Sequence, residues 1–301
     1  MKVPFVYVVI LGWNCKEDTA ECVASALDMD YPAFRTLVVD NGSTDGAPEH
    51  LKTRFPTLEM IENEENLGMA RAFNIAIKYA LRREADYILL LNNDTILDVS
   101  LLKELVKVAE AEPQAGVLMP KIYYHGESSR LWSAGARRRF FPPGIVFIGL
   151  NRDDGPSYAR QRRIDYAPAC ALLIGREVFQ EVGLFDPGYF FYYEDWDFSE
   201  RVRRAGYTIL YVPQAKMWHK VSLGTLKKPQ PAKWWRILGR SSVRFHLKFS
   251  RTKYLFIALH TIWFVLREII QGNAKVVPPY LAGVGEALRS HLAGESTAKS
   301  S

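Results

Sequence analysis

Apolar runs at 5–11, 36–39 and 88–91 each break off into polar or Gly-rich residues. Between and after them, apolar positions recur at helical spacing over 17–28, 46–54, 69–83 and 100–111. Short continuous apolar runs suit strands covered on both faces, and helices of this length between them predict parallel strands joined by right-handed crossovers. The expected fold class is therefore α/β, a Rossmann-like, mainly parallel sheet with flanking helices. A further strand is expected at 117–119, another at 171–174, a helix over 195–205 stopped by Gly206, and then a strand at TILYV. Residues 123–165 lack either period. With Arg137–Arg139, FFPPG and NRDDGPSYARQRR they read as a long, basic, turn-rich insertion, a functional loop or a mobile cover.

From about 230 the pattern becomes basic-aromatic, with KWWRILGRSSVRFHLKF followed by YLFIALHTIWFVL. The second run is short of the roughly 20 residues that a spanning helix needs. Lys and Arg interleaved with Trp, Phe and Leu suit a helix lying at an anionic membrane surface, or helices that pack on the rest of the protein with their charges solvated. Nucleic acid is not an expected partner, because no known binding module accompanies the basic residues.

Composition adds a division of labour. The net charge of +6 hides 12 Lys/Arg against Glu268 alone over 220–275, whereas residues 1–219 carry 25 basic and 30 acidic groups. Three cysteines without metal-ligand spacing fit a reducing, cytoplasmic compartment. The start, MKVPFVYVVILGW, lacks a small-residue cleavage site and reads as a first strand.

Four polar clusters fall where strands should end. In VVDNGSTDG, Asp40 could accept a hydrogen bond from a nucleotide base or ribose, while Asn41 to Thr44 shape a turn and Asp45 caps the next helix. In ENLGMARAFN, Asn66 and Gly68 lead into a helix whose free amides suit a phosphate, with Arg71 one turn in. In LLLNNDT, Asp94 is a candidate ligand for a hard divalent cation, and Asn92 and Asn93 are neutral partners. In FDPGYFFYYEDWDF, Glu194, Asp195 and Asp197 sit among aromatics, as a general base and a sugar platform would; capping by Asp195 and exposure of Asp197 is the plainer reading.

In this order and spacing, VDNGSTDG, ENLG, LLNNDT, GLFD…FFYYED and AKMWH resemble the family 2 inverting glycosyltransferases of the GT-A fold, and among them the rhamnosyltransferase-like enzymes of bacterial polysaccharide assembly. The likeness implies residue roles. Asp94 stands in the D-x-D motif as metal ligand, with Asn92 at its first acidic position. Asp40 and Trp13 serve the nucleotide, with Asn66, Gly68, Arg71 and Asn93 completing the donor site. Asp195 is the base, Glu194 its neighbour, and His219 completes the metal or diphosphate site. Trp196 and the insertion face the acceptor. MARAFN departs from the small, Gly-rich version common in relatives.

The implied activity is metal-dependent (Mg2+ or Mn2+) transfer from a nucleotide-diphospho-sugar donor, dTDP-rhamnose or a UDP-sugar, to a glycan or lipid-linked acceptor in cell-surface polysaccharide assembly. The implied catalytic domain is 1–225, with a nucleotide-binding half to about 120 and an acceptor half beyond. Residues 226–301 are expected to form a helical, basic-aromatic segment with a flexible end, lying at the inner face of the membrane or packing on the catalytic domain. A sugar-phosphate nucleotidyltransferase, a non-catalytic nucleotide-sugar or carbohydrate-binding protein and a structural membrane-surface protein are the rival readings. The first should carry a Gly-rich phosphate loop where this chain has LGWNCKED.

Overall fold

The computed structural model describes residues 3–127, 129–139, 144–221 and 231–299. The chain forms β1 (Val6–Gly12), α1 (Lys16–Leu27), β2 (Phe34–Asp40), α2 (Ala47–Arg54), β3 (Glu59–Glu62), α3 (Met69–Arg82), β4 (Tyr87–Asn92), β5 (Thr95–Leu97) and α4 (Leu101–Ala111). It continues through β6 (Ala115–Tyr124), β7 (Arg130–Ser133), β8 (Ala136–Arg139), β9 (Gly144–Phe147), β10 (Arg152–Asp153), β11 (Arg162–Ile164), β12 (Ala171–Gly175), α5 (Arg176–Val182), α6 (Glu194–Arg204) and β13 (Thr208–His219). Three helices follow, α7 (Ala232–Phe249), α8 (Lys253–Ile270) and α9 (Val277–Lys299).

Two compact units emerge. The first comprises Met1–Arg137, Val146–Gly188 and Glu194–Ser222. Its sheet runs β10-β7-β6-β12-β4-β1-β2-β3, with β3, β2, β1 and β4 parallel as the rhythm predicts. β12 lies antiparallel to both β4 and β6, so the sheet is mixed. Every residue of β1 is buried, as a central strand covered on both faces requires. Register aligns Gly12 with Asp40 and Leu11 with Asn92, so β1, β2 and β4 deliver their polar ends to one lip of the sheet.

The insertion is strand-built rather than a mobile cover over its described length. β7 and β10 extend the sheet edge, and β11 pairs with β13. Lys121 Nζ donates to both carboxylate oxygens of Asp154 at 2.8 Å, and Tyr123 OH donates to the same carboxylate at 2.6 Å. These bonds fasten the segment that the turn-rich composition hid.

α6 is locked by a single side chain. Arg201 Nε donates to the fully buried Asp197 at 2.6 Å, and its two terminal nitrogens donate to the carbonyls of Val182 and Leu184 at 2.8 Å. Asp197 is thereby a buried structural anion rather than an exposed one.

The second unit comprises Arg138–Ile145, Tyr189–Tyr193 and Leu223–Ser301. The domain boundary expected at 225 lies outside the described residues. α7 and α9 cross where a Cβ on Gly239 would lie 2.2 Å from the Tyr280 carbonyl, and one on Gly283 would lie 2.0 Å from that of Arg236. His260 bridges Tyr193 and Tyr280 hydroxyls at 3.2 and 3.1 Å. Burial holds its pKa down at about 4, so it stays neutral. Among the described residues, no helix is long and apolar enough to cross a membrane.

Arg201→Ala should strand the Asp197 charge in the core. A loss of about 3–5 kcal/mol is expected, read as a lower midpoint in equilibrium urea unfolding.

Candidate active site

At the end of β2, Ser43 N donates to Asp40 Oδ2 at 2.9 Å, closing the turn over a buried carboxylate. Asn41 is the buried hub of an amide network. Its Oδ1 accepts from Asn63 Nδ2 and Leu67 N, both at 3.1 Å, and its Nδ2 donates to Asn66 Oδ1 at 3.1 Å. Asn66 Oδ1 also accepts from Gly68 N at 2.9 Å. Gly42, with φ of +75°, passes so close to Glu65 that a Cβ would lie 2.5 Å from its carbonyl carbon. Asn66 and Gly68 are therefore tied to the Asp40 turn. Asp45 accepts from Ala47 N at 3.2 Å and from Lys16 N at 3.0 Å, joining the starts of α2 and α1.

The residues that looked aberrant in MARAFN have structural duties. Asn74 Nδ2 donates to the Phe185 carbonyl at 2.8 Å while its Oδ1 accepts from Phe185 N at 3.0 Å. The helix thus grips the loop that leads toward the acidic pair. Arg71, exposed on the first turn, reaches the Pro187 carbonyl at 3.4 Å.

β4 ends in a turn whose amides are partly committed. Asn93 Nδ2 donates to Thr19 Oγ1 at 2.7 Å and to the Asn14 carbonyl at 3.2 Å, orienting the turn from within. Thr95 lies opposite His219 in the β5–β13 pairing. That register sets His219 Nε2 3.1 Å from Asp94 Oδ1, both side chains nearly buried. His219 stands edge-on to Trp132, centroids 4.8 Å apart, and its Nδ1 has no hydrogen-bond partner. The next residue, Lys220, donates its backbone N–H to the Asp94 carbonyl at 2.9 Å, and its ammonium is held by Asp18 at 2.7 Å and by Glu21.

Glu194 and Asp195 open α6, after Tyr192 and Tyr193, which hold φ of 65° and 69°. Two consecutive non-glycine residues in this region store strain, a common mark of functional loops. Asp195 Oδ2 accepts from Tyr166 OH at 2.6 Å and Ala169 N at 3.2 Å, and Oδ1 accepts from Trp196 N at 2.8 Å. Burial raises the Asp195 pKa above the usual carboxylate range, while these donors pull it back. Burial and the Asp195 charge push Glu194 much further up, and its Oε2 is buried without a partner. Burial thus favours the protonated form of Glu194 more strongly than that of Asp195, whose donors favour the charged form.

Asn92 N donates to the Cys170 carbonyl at 3.2 Å. The Cys170 thiol lies within the fields of both Asp94 and Asp195, which together with burial drive its pKa well up. Strand pairing therefore brings the Asp94 turn and the Asp195 carboxylate close to one buried sulfur. Trp13 is 41% exposed at the same lip, whereas Trp196 is only 8% exposed.

A carboxylate-bearing sheet lip beside a buried acid pair suits group transfer, and sequence comparison gives the family. The profile of Glycosyl transferase family 2 matches residues 7–183. The chain belongs to that family. It is a glycosyltransferase, which sets the rival readings aside. The chain is 27% identical over 291 residues to an N-acetylglucosaminyl-diphospho-decaprenol L-rhamnosyltransferase of Mycobacterium tuberculosis, spanning 88% of this chain and 85% of that one. It is 27% identical over 219 residues to the rhamnosyltransferase WbbL of Escherichia coli, spanning 69% and 80%. Its fold is similar to that of the mannosyltransferase PcManGT from Pyrobaculum calidifontis, solved with GDP-Man and Mn2+, with a TM-score of 0.57, 18% identity, and coverage of 99% of this chain and 81% of that one.

Divalent metal accompanies this fold in that relative, and Asp94 and His219 offer a partial donor set for one. Adjacent ligands of an octahedral ion with bonds of about 2.1 Å lie about 3.0 Å apart, close to the Asp94–His219 separation. A carboxylate and an imidazole suit a cation that draws its other ligands from phosphate. Ligation through Nε2 would move the ring proton to Nδ1, which has no partner among the described residues, and both residues would exchange their mutual hydrogen bond for the ion. Among the described residues, no three His, Cys, Asp or Glu side chains gather as a complete metal cage.

Sequence reading missed Tyr166, Asn74 and Cys170. None carries a local pattern that announces it, and each acquires its place only through strand pairing or a loop more than twenty residues away.

Proposed function

We propose that this glycosyltransferase moves a deoxyhexosyl or hexosyl group from a nucleotide-diphosphate donor to a lipid-linked glycan acceptor, with inversion, and depends on a divalent metal. The supporting observation is the convergence, around Cys170, of the Asp94 turn and the buried, hydrogen-bonded Asp195. The names of the rhamnosyltransferase relatives favour dTDP-rhamnose over a UDP-sugar as donor, and a diphospho-polyprenol-linked sugar as acceptor.

In this reading Asp40 accepts from the nucleotide, with Trp13 beside it. Asn66 and Gly68 hold the loop against the donor, Arg71 lies on its phosphate side, and Asn93 keeps the β4 turn in place. Asp94, with His219 beside it, would hold the metal, which would neutralise charge on the departing diphosphate. Asp195, ionised and with its proton affinity raised by burial, removes the acceptor hydroxyl's proton. Glu194 stays protonated beside it, so the anomeric centre meets one carboxylate charge rather than two. Trp196 borders the acceptor side by one narrow edge.

The helical tail supports attachment at the inner face of the membrane. On α8, Leu255, Ile262, Leu266 and Ile269 are each more than half exposed and recur at helical spacing on one outward face. On α7 the exposed positions Lys233, Arg236, Arg240, Arg244 and Lys248 form a basic stripe. Residues 231–299 carry 11 Lys/Arg against three acidic groups. An apolar face and a basic stripe in one helical unit suit an anionic lipid interface.

Asp195→Asn should reduce turnover at least about a thousandfold while nucleotide-sugar binding, measured by calorimetry, changes little; near-normal turnover would refute the base assignment. Asp94→Asn should weaken Mn2+-dependent binding of the nucleoside diphosphate by about tenfold or more, and an unchanged titration with and without Mn2+ would rule out its ligand role. Ile262→Asp combined with Leu266→Asp should weaken co-sedimentation with phosphatidylglycerol vesicles by about tenfold or more, and wild-type binding should fall as salt rises. Equal sedimentation of wild type and variant would leave the α8 face without a membrane role.

A further inference from the structure

Asp195 is held asymmetrically. Oδ2 accepts two hydrogen bonds, from Tyr166 OH at 2.6 Å and Ala169 N at 3.2 Å, which fill the positions that one carboxylate oxygen offers. Oδ1 accepts one, from Trp196 N at 2.8 Å, and keeps a lone pair for another proton. Two of these three donors are backbone groups fixed by the fold. Tyr166 is the only side chain among them, and it is itself held: it is 7% exposed, bridges to Ala136 across an isolated β-contact, and sits edge-on to Phe147 with centroids 6.0 Å apart.

We infer that Tyr166 is the positioning residue of the transfer reaction: it fixes Asp195 through Oδ2 and so leaves Oδ1 as the atom that takes the acceptor's proton. The inference rests on the reading of Asp195 as the base. In the step it describes, the acceptor O–H bond breaks as its proton passes to Oδ1. The acceptor oxygen bonds the anomeric carbon, and that carbon's bond to the diphosphate oxygen breaks, its electron pair leaving on the diphosphate. Tyr166 neither gains nor loses a proton. Its contribution is to orient the carboxylate and to favour its ionised form in a buried setting.

The groups that bear on Asp195 are few. Glu194 adjoins it on α6, and Tyr166 and Cys170 face it from the segment before β12. Of these only Tyr166 donates to the ionised carboxylate with a side chain. Removing that donor raises the proton affinity of Asp195, so the acidic limb of the rate profile moves to higher pH.

The test compares full-length wild type with Tyr166→Phe, following nucleoside diphosphate release from dTDP-rhamnose between pH 5 and 9 together with dTDP-rhamnose binding and the melting temperature. The expected result is an acidic limb displaced upward by about one pH unit, with donor affinity within about twofold of wild type. A folded variant with an unmoved limb overturns the inference. Should Tyr166→Phe not fold, 3-fluorotyrosine placed at 166 decides the matter: its more acidic hydroxyl should lower the limb, and an unmoved limb again overturns the inference. Asp195→Asn separates the two levels. If Asp195→Asn retains turnover the base reading fails, whereas a dead Asp195→Asn beside an unmoved Tyr166→Phe profile removes only the positioning role.

Discussion

The site depends on the antiparallel pairing of β12 against β4. That register puts Ala171 beside Leu91 and lets Asn92 N donate to the Cys170 carbonyl. One end of the pairing carries the Asp94 turn. The same end carries the segment 166–170, which supplies two of the three donors to Asp195. A parallel strand in place of β12 would deliver that segment to the far edge of the sheet. The mixed sheet is thus what brings the Asp94 turn and the buried Asp195 to one place. β13 completes the arrangement by the same means, because its pairing with β5 carries His219 to Asp94.

Burial sets the electrostatics of the acid pair. Two carboxyls adjacent in sequence and both withdrawn from water cannot both ionise cheaply, and the donors decide which one does. Asp195 receives three hydrogen bonds, whereas Glu194 Oε2 has no partner among the described residues, so the pair favours the proton on Glu194 over Asp195. Both carboxyls have raised proton affinity, Glu194 the more strongly. Ordinary exposed carboxylates would be ionised together, and too weakly basic for a hydroxyl.

Much of this was legible in the chain. Fully buried strands advertise themselves by continuous apolar runs, so β1, β2, β4 and the helices between them fall within a few residues of the pattern. The polar ends of β2 and β4 were legible because Asp40 and Asp94 break those runs abruptly. β13 was visible only in part: TILYV and KMWH read as separate pieces because its pairing with β6 shifts register between Val212 and Lys216. The insertion hid its strands because ARRR and RD bury few side chains, and period-two alternation has no room to show in four residues. Tyr166 was illegible for a different reason. Its partner is 29 residues away, and nothing in DYAPAC distinguishes a positioning hydroxyl from a core tyrosine. Asn41 looked like a turn former and is instead a buried hub whose partners lie 22 to 26 residues on.

The charge of residues 1–219 also gives a reason for a cation at the site. Residues 1–219 carry 25 basic and 30 acidic groups, and the lip of the sheet gathers Asp40, Asp94 and Asp195. Near that lip Lys220 pairs with Asp18 and Glu21, and Arg71 reaches the Pro187 carbonyl. Cleavage of a sugar–diphosphate bond beside such carboxylates would add further negative charge. With Asn92 where a second acid could stand, the turn keeps one carboxylate to attract an ion without cancelling the ion's charge toward phosphate. A divalent metal on Asp94 would reverse the sign of the potential where the leaving group departs while Asp195, near Cys170, stays anionic. A cation and an anion held in one site would suit a sugar passing from phosphate to hydroxyl.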